Sequence, residues 1–408
     1  MRSSTQSKAL LSSAALLSLL AGVAATRDAA KKPAAWDRRA SAEYLDRREV
    51  WWQSWPHATR DQGTQCISCH TQVPYALARP LLRGAMQERG LSAPEQKMLA
   101  DVTKRVELWS KVEPFYKDPA QTRTFAAREA VYNALMEAAN RVNPMRWNGP
   151  PYLGPDPPLA LEARGTEAVL NALVLASYDA EQGHLSDPAR KAFDNAWALQ
   201  LKSGDDAGGW VWLNFHNTPW EGEGSAFQGA TLAALAVGMA PDDYRGAPAI
   251  QPQLNLLRGY LRRQYSAQPT MNKLVVLWAS SKLSGLLTPE EQAALAKHVF
   301  ALQQADGGWS MTSLGSWKRH DATPLETRGD GLATGLAVLA MEQAGLAAND
   351  PRLENGLAWL EKNQDPTEGF WPAWSLNKQR DPKSDIGRFM TDAATAYATL
   401  ALQNRKQR

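Results

Sequence analysis

The sequence predicts an all-α fold built from repeated helix pairs, arranged as a solenoid or a closed ring. Three observations predict it. Loops running from Gln to Gly-Trp recur along the chain, an alanine-rich helix follows each one, and no convincing period-2 run marks a strand. Units of roughly 45 to 60 residues set the repeat.

Taken from the N-terminus, Arg2 and Lys8 precede an apolar run from Ala9 to Ala21, and small residues at Val23 and Ala25 end it before Thr26. That is the pattern of a secretory signal peptide over residues 1–25, with an uncleaved anchor as the alternative. The run is short and interrupted by Ser12, Ser13 and Ser18, so no transmembrane span is expected after signal removal. A periplasmic or otherwise exported protein is the expectation. The formal net charge is +3, and loss of Arg2 and Lys8 lowers it to +1. Such a balance gives no broad electrostatic footprint for nucleic acid or an anionic membrane.

Both cysteines of the chain lie in Cys66-Ile67-Ser68-Cys69-His70. C-x-x-C-H reads as a site of covalent haem c attachment, in which two thiols hold the haem and the histidine supplies an axial nitrogen to its iron. Cys66, Cys69 and His70 are therefore the candidate cofactor residues for one haem, with His70 the metal ligand. A redox disulfide and other metal chemistry stay open as alternatives. Structural zinc wants about four N/S ligands, and no further thiols exist.

An inner helix is expected to start just after His70, over Val73 to Leu82, behind the aromatic stretch Trp51-Trp52-Gln53-Ser54-Trp55. Arg128 to Leu135 fits the same helix plan. The Pro-rich segment Asn148 to Pro158 divides an N-terminal helical region, 26–150, from a second region, 151–408. The first is either part of the repeat or a separate small cytochrome domain.

The repeat is plainest at Gln303-Gln304-Ala305-Asp306-Gly307-Gly308-Trp309. Gln364 to Trp371 and Gln200 to Trp210 are looser copies. Glycine is expected to take the left-handed conformation after the last helical turn. The Gln amide can then bond the loop backbone while the indole packs between helices. Outer helices start with Pro289 and Pro351 near the first turn. Inner ones run through Glu167–Leu173, Gly229–Leu235, Gly331–Ala337 and Ala394–Leu400.

These Gln to Gly-x-Trp units resemble the QW repeats of the triterpene cyclases, such as squalene–hopene cyclase, best from about Gly165 to Leu402. The resemblance implies an (α/α) toroid of the terpenoid cyclase and protein prenyltransferase group. It does not carry the chemistry across. The family's D-x-D-D acid is missing: Asp205-Asp206 and Asp242-Asp243 lack the preceding aspartate and read as solvated turns. The Asp, Cys and His zinc site of the prenyltransferases would need a cysteine outside the haem motif.

In a toroid the N-terminal ends of inner helices gather on one face. The haem motif would then share that face with the loops Asn214–Glu221 and His320–Asp330. The distal haem ligand is left open among Met136, Met145, His216, His320 or none. Glu326 and Asp330, flanking Arg328, could act as acid/base groups, or as helix-start acids favoured by the dipole. The function expected is an exported c-type haem protein in electron transfer or haem redox chemistry. It would have a redox partner protein and a cavity suited to an apolar, isoprenoid-like molecule. A divergent cyclase-type enzyme and a non-catalytic ring with a Cys66–Cys69 disulfide are the alternatives.

Overall fold

The computed structural model describes residues 36–116, 158–346 and 350–404. The signal-peptide segment 1–25, the helix expected at Arg128–Leu135, Met136 and Met145 lie outside these. Twelve α-helices carry the described chain: α1 Arg38–Ser54, α2 Gln72–Met86, α3 Ala93–Glu107, α4 Pro158–Gln182, α5 Asp187–Leu199, α6 Ser225–Met239, α7 Gln251–Gln264, α8 Thr270–Ser280, α9 Pro289–Ala301, α10 Gly331–Gln343, α11 Pro351–Lys362 and α12 Phe389–Asn404. The all-α class holds. One small exception escaped the sequence: β1 Thr59–Arg60 pairs antiparallel with β2 Thr64–Gln65. Two-residue strands are too short to leave a period-2 pattern.

Local chemistry sets the helix ends. Thr288 and Ser92 each form a capping box, with Glu291 and Glu95, at the starts of α9 and α3. Ser186 and Asp350 cap α5 and α11, where Pro188 and Pro351 occupy the first turn. These polar-faced helices form an outer layer. The even-numbered helices α2, α4, α6, α10 and α12 are rich in Ala and Gly and are buried nearly throughout.

The even-numbered helices pack in a closed circuit. α2 lies on α4, α4 on α6, α6 on α8, α8 on α10, α10 on α12, and α12 returns to α2. Outside them, α1 covers α2 and α12, α5 covers α4, α7 covers α6, α9 covers α8, and α11 covers α10 and α12. Small residues permit the inner contacts: a Cβ on Gly335 of α10 would stand 2.6 Å from the backbone nitrogen of Ala398 in α12. α8 is the inner helix that the alanine pattern failed to mark, because it is built on Leu274-Val275-Val276-Leu277-Trp278.

The Gln to Gly-Trp loops pin one outer helix to the next. Gln303 Nε2 donates to Gly307 O (2.8 Å) and to Arg352 O at the start of α11 (2.7 Å). Trp309 is fully buried, and its indole N–H donates back to Val299 O (2.7 Å). Gln200 and Trp210 repeat the arrangement, with bonds to Gly208 O, Gln253 O and Ala196 O. In the third copy Gln364 Nε2 reaches Gly369 O, Asp37 O and Ser41 Oγ, so the last loop is tied to the first helix. That bond set closes the outer layer. Gly307 has φ +95°, and a Cβ there would stand 2.7 Å from Asn355 O, so glycine serves both the turn and the close approach.

Candidate haem-attachment site

The motif turn is built from its own residues. Ser68 Oγ accepts from the N–H groups of Thr71 (3.2 Å) and Gln72 (3.0 Å), satisfying two of the orphan donors at the start of α2. Trp52 of α1 fixes the other side, its indole N–H donating to Cys66 O at 2.8 Å. Cys66 and Cys69 are thus held on a tight turn directly before α2. Both are free thiols, 5% and 7% exposed. Burial pushes the Cys66 thiol up to about 12 and raises Cys69 well above its ordinary value. Both stay protonated at neutral pH. They are poor thiolate nucleophiles and poor zinc ligands as they stand.

His70 sits on the same turn in an aromatic cage. Phe389, the first residue of α12, stacks on its ring with centroids 3.8 Å apart and planes 25° apart. Trp52 meets it edge-on at 5.3 Å and Trp220 lies at 6.1 Å. Burial pulls the imidazole pKa down to about 3, so the ring is neutral.

Its tautomer follows from the hydrogen-bond network. His70 Nδ1 lies 2.9 Å from Thr71 Oγ1, and Thr71 Oγ1 donates to Asp392 Oδ2 at 2.8 Å. Thr71 has one proton, and Asp392 takes it. Nδ1 must then carry the imidazole hydrogen and donate to Thr71, which leaves a lone pair on Nε2. Asp392 Oδ1 also accepts from Tyr44 OH (2.8 Å) and Arg48 Nε (2.7 Å). The relay from His70 to Arg48 is fully bonded. A histidine with one nitrogen held by an outer-shell partner and the other free is the form that ligates metal.

Further groups surround the turn. Glu221 and Tyr116 are half-buried, as His70 is, and both lie close enough to Cys66 and Cys69 to interact electrostatically with them. Burial raises Glu221 to about 7. Burial raises Tyr116 well above its ordinary value, and its ring meets Phe215 edge-on at 4.9 Å. Tyr397 of α12 lies close enough to feel Cys69 and packs edge-on against Trp278 of α8 at 6.1 Å. The residues present fit a haem in their chemistry: two thiols on one turn, a neutral imidazole with Nε2 free and an aromatic surround.

The two pre-helix loops do come together. His320 Nε2 donates to His216 O at 2.9 Å, and Asn377 links Thr218 to the same region. Trp220 carries the first loop to His70. His320 is exposed with Nε2 already bonded, so it makes a poor distal ligand. Asp330 is the N-cap of α10: it accepts from Ala333 N (2.8 Å) and Met311 N (2.6 Å), and burial raises it to about 7. Glu326 pairs with Arg319 at 2.6 Å, and Arg328 lies over the Trp374 ring. Asp330 has the capping role, and Glu326 and Arg328 are engaged by Arg319 and Trp374. Asp205 and Asp206 are exposed turn residues, while Asp242 binds His184 and Arg190 at the surface.

Sequence reasoning missed Thr71, Asp392 and Phe389, and had Glu221 only as the end of a loop placed on the haem face. The available signals were a lone Asp in the Ala- and Thr-rich run of α12 and an acid next to Trp220. No helix among the described residues is long and apolar enough to cross a membrane. No family model and no curated protein sequence matches the chain.

Proposed function

We propose that this is an exported c-type haem protein on a ring of helix pairs related in plan to the squalene cyclase toroids, working in electron transfer or haem redox chemistry. Cys66 and Cys69 would hold the haem through two thioethers, and His70 Nε2 would be an axial ligand. The observation that carries the reading is the relay from His70 through Thr71 to Asp392, since it leaves Nε2 as the free lone pair beside two protonated thiols. Bound haem supplies a one-electron couple at its iron. The chain's residues do the rest. Thr71 and Asp392 orient the imidazole, Ser68 holds the turn, and Trp52, Trp220 and Phe389 exclude water and lower the local dielectric. Glu221 would hold or release a proton at its carboxyl near neutral pH, close to the two cysteines. A redox partner protein would exchange electrons at this face, and an apolar isoprenoid-like molecule is the ligand class the toroid likeness suggests.

The test is export in a host with c-type maturation machinery, then acid-solvent extraction, a pyridine haemochrome spectrum and intact mass. Colour that resists extraction, with a mass gain of one haem that vanishes in Cys66→Ala plus Cys69→Ala, is the expected result. A colourless chain of bare mass overturns the proposal. Carbon monoxide binding to the ferrous protein separates an open sixth position from a closed electron carrier.

A further inference from the structure

A second feature lies on the ring axis at the end away from the cysteines. A cavity of about 270 Å³ is walled by all six inner helices: by the middle of α2, Ala76 to Leu81, and by the C-terminal halves of the others, with Glu181 of α4, Met239 of α6, Trp278 of α8, Leu339 of α10 and Leu400 of α12. The inner helices therefore run parallel, with their N-terminal ends at the His70 face and their C-terminal ends here. The walls are mostly apolar, and five polar side chains join them: Ser177, Glu181, Lys282, Gln343 and Asn404.

Two of these have unused donors. Lys282 is half-buried just past α8, and its ammonium has no hydrogen bond or ion pair among the described residues; desolvation lowers its pKa. Asn404 Nδ2 is buried with no partner among the described residues. The acid in the wall, Glu181, is paired with Arg83 at 2.6 Å and makes no hydrogen bond or ion pair with either donor. A buried donor without an acceptor is costly, and a lysine has donors only. The inner-helix C-termini also carry partial negative charge, so an anion is favourable here only against Lys282 itself.

We propose that this cavity is a binding site for an anionic amphiphile: an aliphatic chain between the inner helices, with a carboxylate accepting from Lys282 Nζ and Asn404 Nδ2. Trp278 forms part of the wall and Tyr397 backs it, which places the chain end on the far side of that aromatic pair from Cys69. The inference does not rest on the haem reading, and its geometry uses none of the motif residues.

The probe is sodium decanoate below its micelle concentration, titrated calorimetrically into the full exported chain, with decanol and decyltrimethylammonium as comparison ligands. Saturable binding of one decanoate per chain is expected, with both comparison ligands at least roughly tenfold weaker, since a charge-assisted bond to a lysine is the discriminating contact. Lys282→Met keeps the stem that packs by Gly238 and removes the charge; it should weaken decanoate by a similar factor and leave decanol unchanged. Leu339→Trp fills the cavity and should abolish binding, with an unchanged far-UV circular dichroism spectrum as the folding control. Decanoate that fails to saturate, decanol as tight as decanoate, or a Lys282→Met chain that binds decanoate normally each overturns the proposal. The haem spectrum and mass are read separately, so loss of this site and loss of the cofactor reading are distinguishable.

Discussion

Thr71 donates its hydroxyl proton to Asp392 across 2.8 Å, joining the residue after the C-x-x-C-H turn to a helix 321 positions later. The same carboxylate takes Tyr44 and Arg48 from α1. One buried acid therefore ties together the first, second and last helices and fixes the imidazole tautomer of His70. Arg48 and Asp392 have side chains only 5% and 1% exposed, so this is an ion pair inside the protein.

Asp392→Ala leaves Arg48 with its buried carboxylate gone and only Asp385 to bond, through an exposed carboxylate at 2.8 Å and a carbonyl oxygen at 2.7 Å. Removing one member of a buried pair costs roughly 3 to 5 kcal/mol. Denaturant unfolding should show a loss in that range. Tyr44→Phe deletes a single bond to the same carboxylate and should lose only about 1 kcal/mol. Equal losses for the two variants would contradict the central place given to Asp392.

Gly307→Ala puts a side chain where φ is +95° and the Asn355 carbonyl is 2.7 Å away. The left-handed conformation alone costs roughly 1 to 2 kcal/mol for a non-glycine residue, and the clash adds to it. A drop of at least that size is expected in chemical unfolding. Gly345→Ala, at φ +67° in open space, isolates the backbone effect and should cost less.

Gln364→Ala removes the side chain that ties the last loop to Asp37 and Ser41. About 1 to 3 kcal/mol of stability should go with these bonds. The change should be localised: amide exchange ought to speed up in α1 and in the 364–371 loop while α6 and α8 keep their protection. Uniform acceleration around the whole ring would rule out a local closing role for Gln364.

Glu49 is fully buried, bonded to Gln53 and Gln72, and burial raises its pKa to about 7. A carboxyl that binds its proton more tightly in the folded state stabilises the fold at low pH. That stability is lost as pH rises from the ordinary value of about 4.3 through about 7. Glu49→Gln removes the ionisation. The variant should be more stable than the parent at pH 8, by up to about 3 kcal/mol, with the advantage falling to about 1 kcal/mol by pH 5. His70 acts in the opposite sense, since its depressed pKa contributes stability at neutral pH that is lost as pH falls from about 6.5 toward 3. Urea midpoints of parent and variant across pH 5–8 isolate the Glu49 part.

Much of the scaffold was legible because its signals are local. Gln303, Gly307 and Trp309 act within seven residues of each other, and their types state the turn, the amide bridge and the buried indole. The inner helices announced themselves through alanine, except α8, whose Val275 and Val276 read equally well as any short apolar run. The three motif residues were visible for the same reason of adjacency. The rest of the candidate site was not, because it depends on partners far along the chain. Asp392 becomes informative only when α12 lies against α2, and Phe389 looks like an ordinary helix start until it stacks on His70. Asp330 and Glu326 show the converse: acids in a suggestive cluster, already engaged by backbone N–H groups and by Arg319.

Closure of the ring also sets an order of events in the life of the chain. The thiols of Cys66 and Cys69 are made early and emerge first from any N-to-C secretion, while Phe389 and Asp392, which cover and brace the same turn, come last. In the finished fold the sulfurs are nearly sealed, at 5% and 7% exposure. Any enzyme that modifies them has its opening in the interval before the final helix docks, and a chain that folds too quickly would lock its two cysteines away unmodified.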